Sequence, residues 1–114
     1  DLEYSLKFQR STARENIFCD PKKTKVAISM IGELCPGKNV VLRSLVKCLE
    51  HEYGVEEIYG VKWGFRGFCE EFPKFWVKID AASLEGIQHQ GGAKLGTCRH
   101  VPFDAEKVAD RLEE

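Results

Sequence analysis

The sequence lacks the usual marks of metal-binding, secreted and membrane proteins. Its five cysteines are widely scattered, no two of them form a C-x-x-C pair, and the three histidines do not lie at metal-ligand spacing from them. An odd number of cysteines argues against a complete disulfide framework and indicates a reducing compartment. No apolar run approaches the roughly 18 residues that span a bilayer. We therefore expect no metal site, no disulfide framework and no membrane partner.

The chain also lacks a charge imbalance. Its 17 basic and 18 acidic residues give a net charge of −1, so nothing in the composition predicts binding to nucleic acid. With 114 residues, 43% of them hydrophobic and 31% charged, the composition is typical of one small globular domain. The first residues contain neither a secretory signal nor an initiator methionine, which indicates a trimmed chain or a fragment. We expect a cytoplasmic protein, with a plastid as the alternative.

Strand and helix signals alternate along most of the chain. Residues 1–24 are polar and without periodicity, and we expect them to form an N-terminal arm or linker, whereas residues 25–114 form the domain. The segment Glu70–Asp80 fits no single element. The predicted elements are strands at Lys25–Ile31 and Glu56–Trp63, helices at Asn39–Tyr53 and Ala81–Gln90, a short strand within Gly91–Arg99, and a terminal helix at Asp104–Glu114.

This order predicts an α/β protein with a Rossmann-like parallel sheet and helices on the faces of the sheet. Ligands in such sheets bind at the carboxyl ends of the strands, and two glycine-rich loops, Gly32–Gly37 and Gly91–Gly96, fall next to predicted strand ends. In the first helix, Asn39 is a suitable N-cap and Gly54 a suitable stop. Five residues at helical spacing predict its buried stripe: Val41, Leu42, Leu45, Val46 and Leu49.

The segment "GELCPGKN", Gly32 to Asn39, fits the phosphate-loop pattern of nucleotide triphosphatases except at its last position. Asn39 stands where that loop needs a Ser or Thr hydroxyl for Mg²⁺, and Pro36 removes one backbone N–H from the loop. These departures argue against a triphosphatase. Two readings stay open on the residues alone: a different phosphate-facing loop at a helix N-terminus, or an ordinary strand-to-helix turn.

Four stretches of the sequence together form a recognisable pattern: "STARENIFCDPKKTKVAI", "LCPGKN" followed by "VVLRSLV", "YGVEEIYGVKWGFRGF" and "GGAKLGTCR". They resemble the N-terminal part of the phosphofructokinase family, and most closely the plant-type ATP-dependent 6-phosphofructokinases. The family patterns run roughly GGLCPGxNxVIR, YGVxxIxGxxxGYRGF and GGxxLGTSRGG. The match keeps the order and plausible spacing from about residue 10 to residue 112.

The resemblance implies transfer of a phosphoryl group from ATP, with Mg²⁺, to the 1-hydroxyl of fructose 6-phosphate in glycolysis. It also implies a phosphofructokinase-type fold and other phosphofructokinase subunits as partners. The matched motifs assign nucleotide binding to Gly32, to Phe65 beside the nucleotide, and to Arg99 with the adjoining His100. An arginine suits this role because its planar fork binds phosphate oxygens in pairs.

The sequence departs from the family pattern at several of these places. Glu33 replaces the second glycine of the GG pair, where a carboxylate would repel phosphate, and Lys38 occupies an apolar position. Phe65 lacks the tyrosine hydroxyl, and His100 and Val101 replace paired glycines.

The family's GGDGT loop, which helps to hold Mg²⁺, and its PKTIDND-like motif, which carries the catalytic Asp, do not occur in the sequence. We therefore assign no catalytic and no metal-binding residue, and expect the chain to be inactive alone. The alternative is a degenerate, non-catalytic phosphofructokinase-like domain that acts by binding a partner. A small phosphate-loop protein is a minor third reading.

Arg43 and Lys47 lie one turn apart on the first predicted helix. In bacterial relatives the corresponding helix contributes basic residues to an effector site, so a phosphate effector is one reading. A solvated helix face is the other, and we favour it.

Overall fold

Three short strands form one mixed sheet in the computed structural model, which describes residues 10, 12, 14–69, 73–99 and 104–113. The strands are β1 (Lys25–Ser29), β2 (Glu57–Val61) and β3 (Trp76–Lys78), in the order β1-β2-β3. The helices are α1 (Lys38–Lys47), α2 (Arg66–Cys69) and α3 (Ala105–Glu113). None of the helices in these ranges is long and apolar enough to cross a bilayer.

The α/β class is confirmed, and the pairing of β1 with β2 is parallel as predicted, with Val26 opposite Ile58. β3 departs from the expected parallel sheet because it runs antiparallel to β2. The backbone N–H of Lys62 donates to the carbonyl of Phe75 at 2.9 Å. β3 therefore lies directly beside β2 in the opposite direction, a pairing that needs no crossover connection. Pro73 lies in the turn before β3, where it removes no hydrogen bond from the sheet.

Helix α1 begins at Lys38, one residue before the predicted start at Asn39. Gly37, with φ +85°, takes the N-cap position, and Asn39 lies inside the first turn with only 4% of its surface exposed. The predicted N-cap role of Asn39 is therefore wrong, because its side chain is used in contacts outside the helix. The prediction of Gly54 as the stop is confirmed: α1 continues into a π-helical turn at Cys48–Glu52, and Gly54 follows with φ +70°.

The predicted buried stripe of α1 is correct in part. Leu42 and Val46 are buried in the core, and Leu49 packs against it. Val41 and Leu45 are 65% and 44% exposed, so the described residues cover only part of the apolar face of α1. The core cluster comprises Met30, Leu42, Val46, Val55, Ile58, Ile79, Leu84, Ile87 and Leu95.

Two predictions for the second half of the chain are wrong. Residues 81–90 form consecutive turns and a single 3₁₀ turn at Ile87–His89 instead of an α-helix, and Gly86, with φ +84°, interrupts the helical backbone. The expected strand after Gly92 is also missing: the N–H of Gly96 donates to the carbonyl of Ala93, which closes a tight turn. The terminal helix is confirmed as α3, and Asp104 Oδ1 accepts from the N–H of Lys107 in its first turn.

All five cysteines lie within the described residues as free thiols. Cys19 and Cys35 are exposed, whereas Cys48, Cys69 and Cys98 are partly buried. Cys35 lies in the loop between β1 and α1.

Candidate functional site

The candidate site lies where the segments that follow β1 and β2 meet the loop after residue 90. The N–H of Trp63, just beyond β2, donates to the carbonyl of Leu95 at 2.9 Å. A Cβ placed on Gly64 would lie 3.2 Å from the carbonyl oxygen of Met30 and 3.5 Å from the nitrogen of Cys98. Three segments that are distant in sequence are thus in contact at the carboxyl ends of two parallel strands, which is where α/β sheets bind ligands.

Glycine loop 1, Gly32–Gly37, connects β1 to α1. Gly32 and Gly37 both have positive φ, +88° and +85°, and a Cβ on either would meet no atom within 4 Å. Gly32 therefore presents an open backbone to whatever lies above the loop. The N-terminus of α1 follows directly, with no acidic residue in its first turn, so its positive dipole end is not neutralised there.

Lys38 is the residue that gives loop 1 its likeness to a triphosphatase loop. Its Nζ donates to the carbonyl of Ile31 at 3.0 Å. The ammonium thus ties the start of loop 1 to its end. This contact uses Lys38 to close the loop, in agreement with the sequence argument against a triphosphatase.

Asn39 connects the two glycine loops and is the functional position that sequence reasoning assigned to the wrong role. Its Nδ2 donates to the carbonyl of Gln90 at 3.0 Å, and its Oδ1 accepts from the N–H of Lys94 at 2.8 Å. Gln90 directly precedes glycine loop 2, Gly91–Gly96, and Lys94 lies within it, so the Asn39 amide holds this loop against the start of α1. No local pattern reveals this use, because the partners lie more than 50 residues away.

Trp63 fixes the other end of glycine loop 2. It has φ +64°, the one non-glycine residue with positive φ among the described residues, and its ring lies against Gly96. A Cβ on Gly96 would lie 2.6 Å from Trp63 Cε3, so the ring needs a glycine at this place. Sequence reasoning placed Trp63 at the end of a strand and assigned it no role in the site.

Arg99 and Glu33 bring the two loops together above this frame. Arg99 Nη2 lies 2.7 Å from Glu33 Oε1, a charge-assisted hydrogen bond between a residue three positions beyond glycine loop 2 and the residue beside Gly32. The side chains are 67% and 62% exposed, so solvent screens the pair and its contribution to stability is small. The structure thus places two of the predicted nucleotide-binding residues, Gly32 and Arg99, on the same side of the molecule.

The other two predicted site residues have different outcomes. Phe65 is partly buried directly before α2, and its carbonyl accepts from the N–H groups of Phe68 and Cys69, so its backbone starts that helix. His100 lies outside the described residues, and its predicted role stays a prediction.

Arg43 and Lys47 are engaged by a single carboxylate. Arg43 Nη2 lies 2.8 Å and 3.1 Å from the two oxygens of Glu85, and Lys47 Nζ lies 3.8 Å from Glu85 Oε2. The hydrogen bond and charge of Arg43, followed by the charge of Lys47, hold the pKa of Glu85 below its ordinary value. This ion-paired surface favours the solvated-face interpretation of the two basic residues over an effector site.

The described residues do not fit a resident Mg²⁺ ion. They contain no group of three or more His, Cys, Asp or Glu side chains that could hold a metal. The carboxylate that lies at loop 1, Glu33, is bonded to a guanidinium, whereas Mg²⁺ requires an octahedral set of oxygen ligands. Any Mg²⁺ at this site would have to arrive with its ligand.

Comparisons with known proteins agree with the motifs. The family model described as "Phosphofructokinase" matches residues 25–114. The chain is 38% identical over 105 residues to the ATP-dependent 6-phosphofructokinase of Borreliella burgdorferi, and the aligned region covers 92% of this chain and 23% of that protein. It is 41% identical over 85 residues to the ATP-dependent 6-phosphofructokinase of Entamoeba histolytica, covering 75% of this chain and 19% of that protein.

A likeness in structure accompanies the likeness in sequence. The crystal structure of Pichia pastoris phosphofructokinase in the T-state superposes with a TM-score of 0.63 at 18% identity, covering 94% of this chain and 11% of that one. This match concerns the fold alone. The chain spans less than a quarter of the length of each of these relatives.

Proposed function

The chain belongs to the phosphofructokinase family, and on that premise we propose that it is the N-terminal, nucleotide-binding part of an ATP-dependent 6-phosphofructokinase. The reaction would transfer the γ-phosphoryl group of ATP to the 1-hydroxyl of fructose 6-phosphate, giving fructose 1,6-bisphosphate and ADP. Residues 25–114 would form the nucleotide-binding portion, and residues 1–24 an N-terminal arm. We propose a cytoplasmic protein with a plastid as the alternative; two similar Arabidopsis thaliana proteins are named chloroplastic.

The observation that carries this proposal is the meeting of the two glycine loops at the ends of β1 and β2. Gly32 offers an open backbone beside the N-terminus of α1, and Arg99 reaches the same place from the end of loop 2. Open glycine N–H groups, a helix N-terminus and a guanidinium are the groups that bind phosphates. A nucleotide would lie with its phosphates against Gly32 and Arg99, and Phe65 would lie beside it.

The chain's own residues would supply binding and orientation to phosphoryl transfer, which depends on positioning and on charge stabilisation. Asn39 and Trp63 would hold loop 2 in place for this task. The base that accepts the proton of the sugar hydroxyl is not among the residues we can assign. We therefore propose that these 114 residues bind nucleotide and do not complete the reaction alone; other subunits or segments of the family type would be the partners.

Nucleotide binding can be tested by titrating the ¹⁵N-labelled chain with ATP and with its Mg²⁺ complex while amide shifts are followed. We expect saturable shifts centred on Gly32, Gly96 and Arg99, with adenosine as a phosphate-free comparison that gives weaker effects there. A coupled aldolase assay with ATP, Mg²⁺ and fructose 6-phosphate should show no turnover. Absence of any saturable shift at millimolar ATP would overturn the proposal.

A second function, binding of a protein partner without catalysis, is favoured by one observation on α1 and loop 1. Val41 on α1 and Leu34 in loop 1 are each 65% exposed, and Leu45, one turn after Val41, is 44% exposed. Exposed apolar groups on adjoining segments suit an interface. Mixing the chain with an intact phosphofructokinase and following its elution in size-exclusion chromatography tests this. Replacing Val41 with Ser should then reduce co-elution, whereas elution unchanged by the intact enzyme would exclude this function for that enzyme.

A further inference from the structure

The guanidinium of Arg99 already binds an oxyanion, and that oxyanion belongs to the protein. Arg99 Nη2 lies 2.7 Å from Glu33 Oε1, the distance of a charge-assisted bond to a carboxylate or a phosphate. Glu33 directly follows Gly32, so its carboxylate stands at the place where the phosphate of a ligand would contact both loops. We infer that Glu33 is a specificity-determining residue of this site, which occupies Arg99 and thereby disfavours phosphate-bearing ligands. The inference rests on the proposed function.

Three features of the surroundings support this role. Lys38, the first residue of α1, donates its Nζ to the carbonyl of Ile31. This lysine therefore does not pair with Glu33 and does not neutralise its charge. A Cβ on Gly32 would meet no atom within 4 Å, so a ligand has room to approach. Both partners of the ion pair are more than half exposed, so the bond can open without unfolding the protein.

The expected consequence is competition. A phosphate must displace the Glu33 carboxylate from Arg99 and then remain close to its negative charge. Removing the charge while keeping the shape, as in Glu33→Gln, should tighten ATP binding by at least about threefold at low salt, from the loss of a screened ion pair and of like-charge repulsion. The gain should shrink at high ionic strength, because salt screens exposed charges.

The test compares ATP dissociation constants, measured from amide shifts at Gly32 and Gly96, for the wild-type chain and three variants. Glu33→Gln should bind more tightly, Arg99→Met more weakly, and the double variant should lose the gain of Glu33→Gln. Glu85→Gln is the matched control, since it removes an equally exposed carboxylate that is paired with a different arginine. Its affinity at Gly32 should equal that of the wild type.

The outcomes separate this inference from the proposed function. ATP binding that is equal in wild type and Glu33→Gln overturns the inference and leaves nucleotide binding intact. A gain in Glu33→Gln that persists in the double variant shows that Arg99 is not involved and also overturns the inference. ATP binding by neither protein overturns both the proposed function and the inference, whereas binding by Glu33→Gln alone supports the inference and overturns nucleotide binding by the wild-type chain. Tighter binding that depends on Arg99 supports both.

Discussion

Replacing Asn39 by serine completes the phosphate-loop pattern of "GELCPGKN", yet we expect the change to destabilise the protein without creating a triphosphatase. Asn39 is 4% exposed, and its side chain makes two hydrogen bonds, to the carbonyl of Gln90 and from the N–H of Lys94. A serine hydroxyl ends about one bond short of the amide atoms and therefore makes neither contact. The substitution should therefore release glycine loop 2 from the start of α1.

The magnitude follows from these two contacts. Each hydrogen bond contributes about 1 kcal/mol to the free energy of unfolding, so their loss should cost about 2 kcal/mol. For a domain of this size the cost corresponds to a fall in Tm of about 8 °C. Asn39→Asp should cost at least as much, because it keeps the acceptor for Lys94 and replaces the donor to Gln90 with a second oxygen.

Urea denaturation measures the cost, and hydrogen exchange at the Lys94 amide locates it. The matched control is Ser44→Ala, an exposed position on the same helix, which should change the free energy of unfolding by less than about 0.5 kcal/mol. If Asn39→Ser behaves like this control, or if the Lys94 amide keeps its protection, the reasoning about the two loops is wrong.

Further changes should have distinct effects. Gly96→Ala places a Cβ 2.6 Å from Trp63 Cε3 at a φ of +69°, and should destabilise the fold by about 1–3 kcal/mol in urea denaturation and shift Trp63 emission. Gly91→Ala, where a Cβ meets nothing within 4 Å, should be near neutral; equal effects of the two substitutions would contradict the role given to the contact between Trp63 and Gly96. The pKa of Glu85 lies below its ordinary value of 4.5 because Arg43 binds the ionised carboxylate. The carboxylate therefore stabilises the folded protein above pH 4.5. This stabilisation is lost as the pH falls through the lower pKa of the folded state. The urea midpoint of Glu85→Gln should therefore depend less on pH than that of the wild type below about pH 4.5, and identical profiles would argue against the ion pair.

The parts of the fold that depend on neighbouring residues could be predicted from the sequence. β1, β2 and the terminal helix follow from short-range apolar patterns, and Gly54 ends its helix as its freedom at positive φ suggests. Glycine loop 1 also follows the end of a strand as predicted, whereas the strand expected beside glycine loop 2 does not form. These features need no knowledge of the distant chain.

The parts that depend on distant partners could not be predicted. Asn39 has the chemistry of an N-cap, and only the position of Gln90 and Lys94 makes an interior location more favourable. Residues 81–90 have helical composition, yet they pack Leu84 and Ile87 into the core through turns. Tertiary packing here overrides local propensity.

The candidate site shows the same division. The family motifs point to Gly32 and Arg99, whereas the ion pair between Arg99 and Glu33 depends on how two loops approach each other. Trp63 carries no local signal, because its positive φ is imposed by its contacts with Leu95 and Gly96.

The exposed thiol of Cys35 makes loop 1 accessible to chemical labelling. Cys35 lies in a loop that Lys38 closes through the carbonyl of Ile31, and Cys19 is the one other exposed residue among the five cysteines. In a Cys19→Ser background, a maleimide dye would react first at Cys35, ahead of the three partly buried thiols. The labelled loop would then report, by anisotropy, how freely the segment next to Gly32 moves when an anion is added.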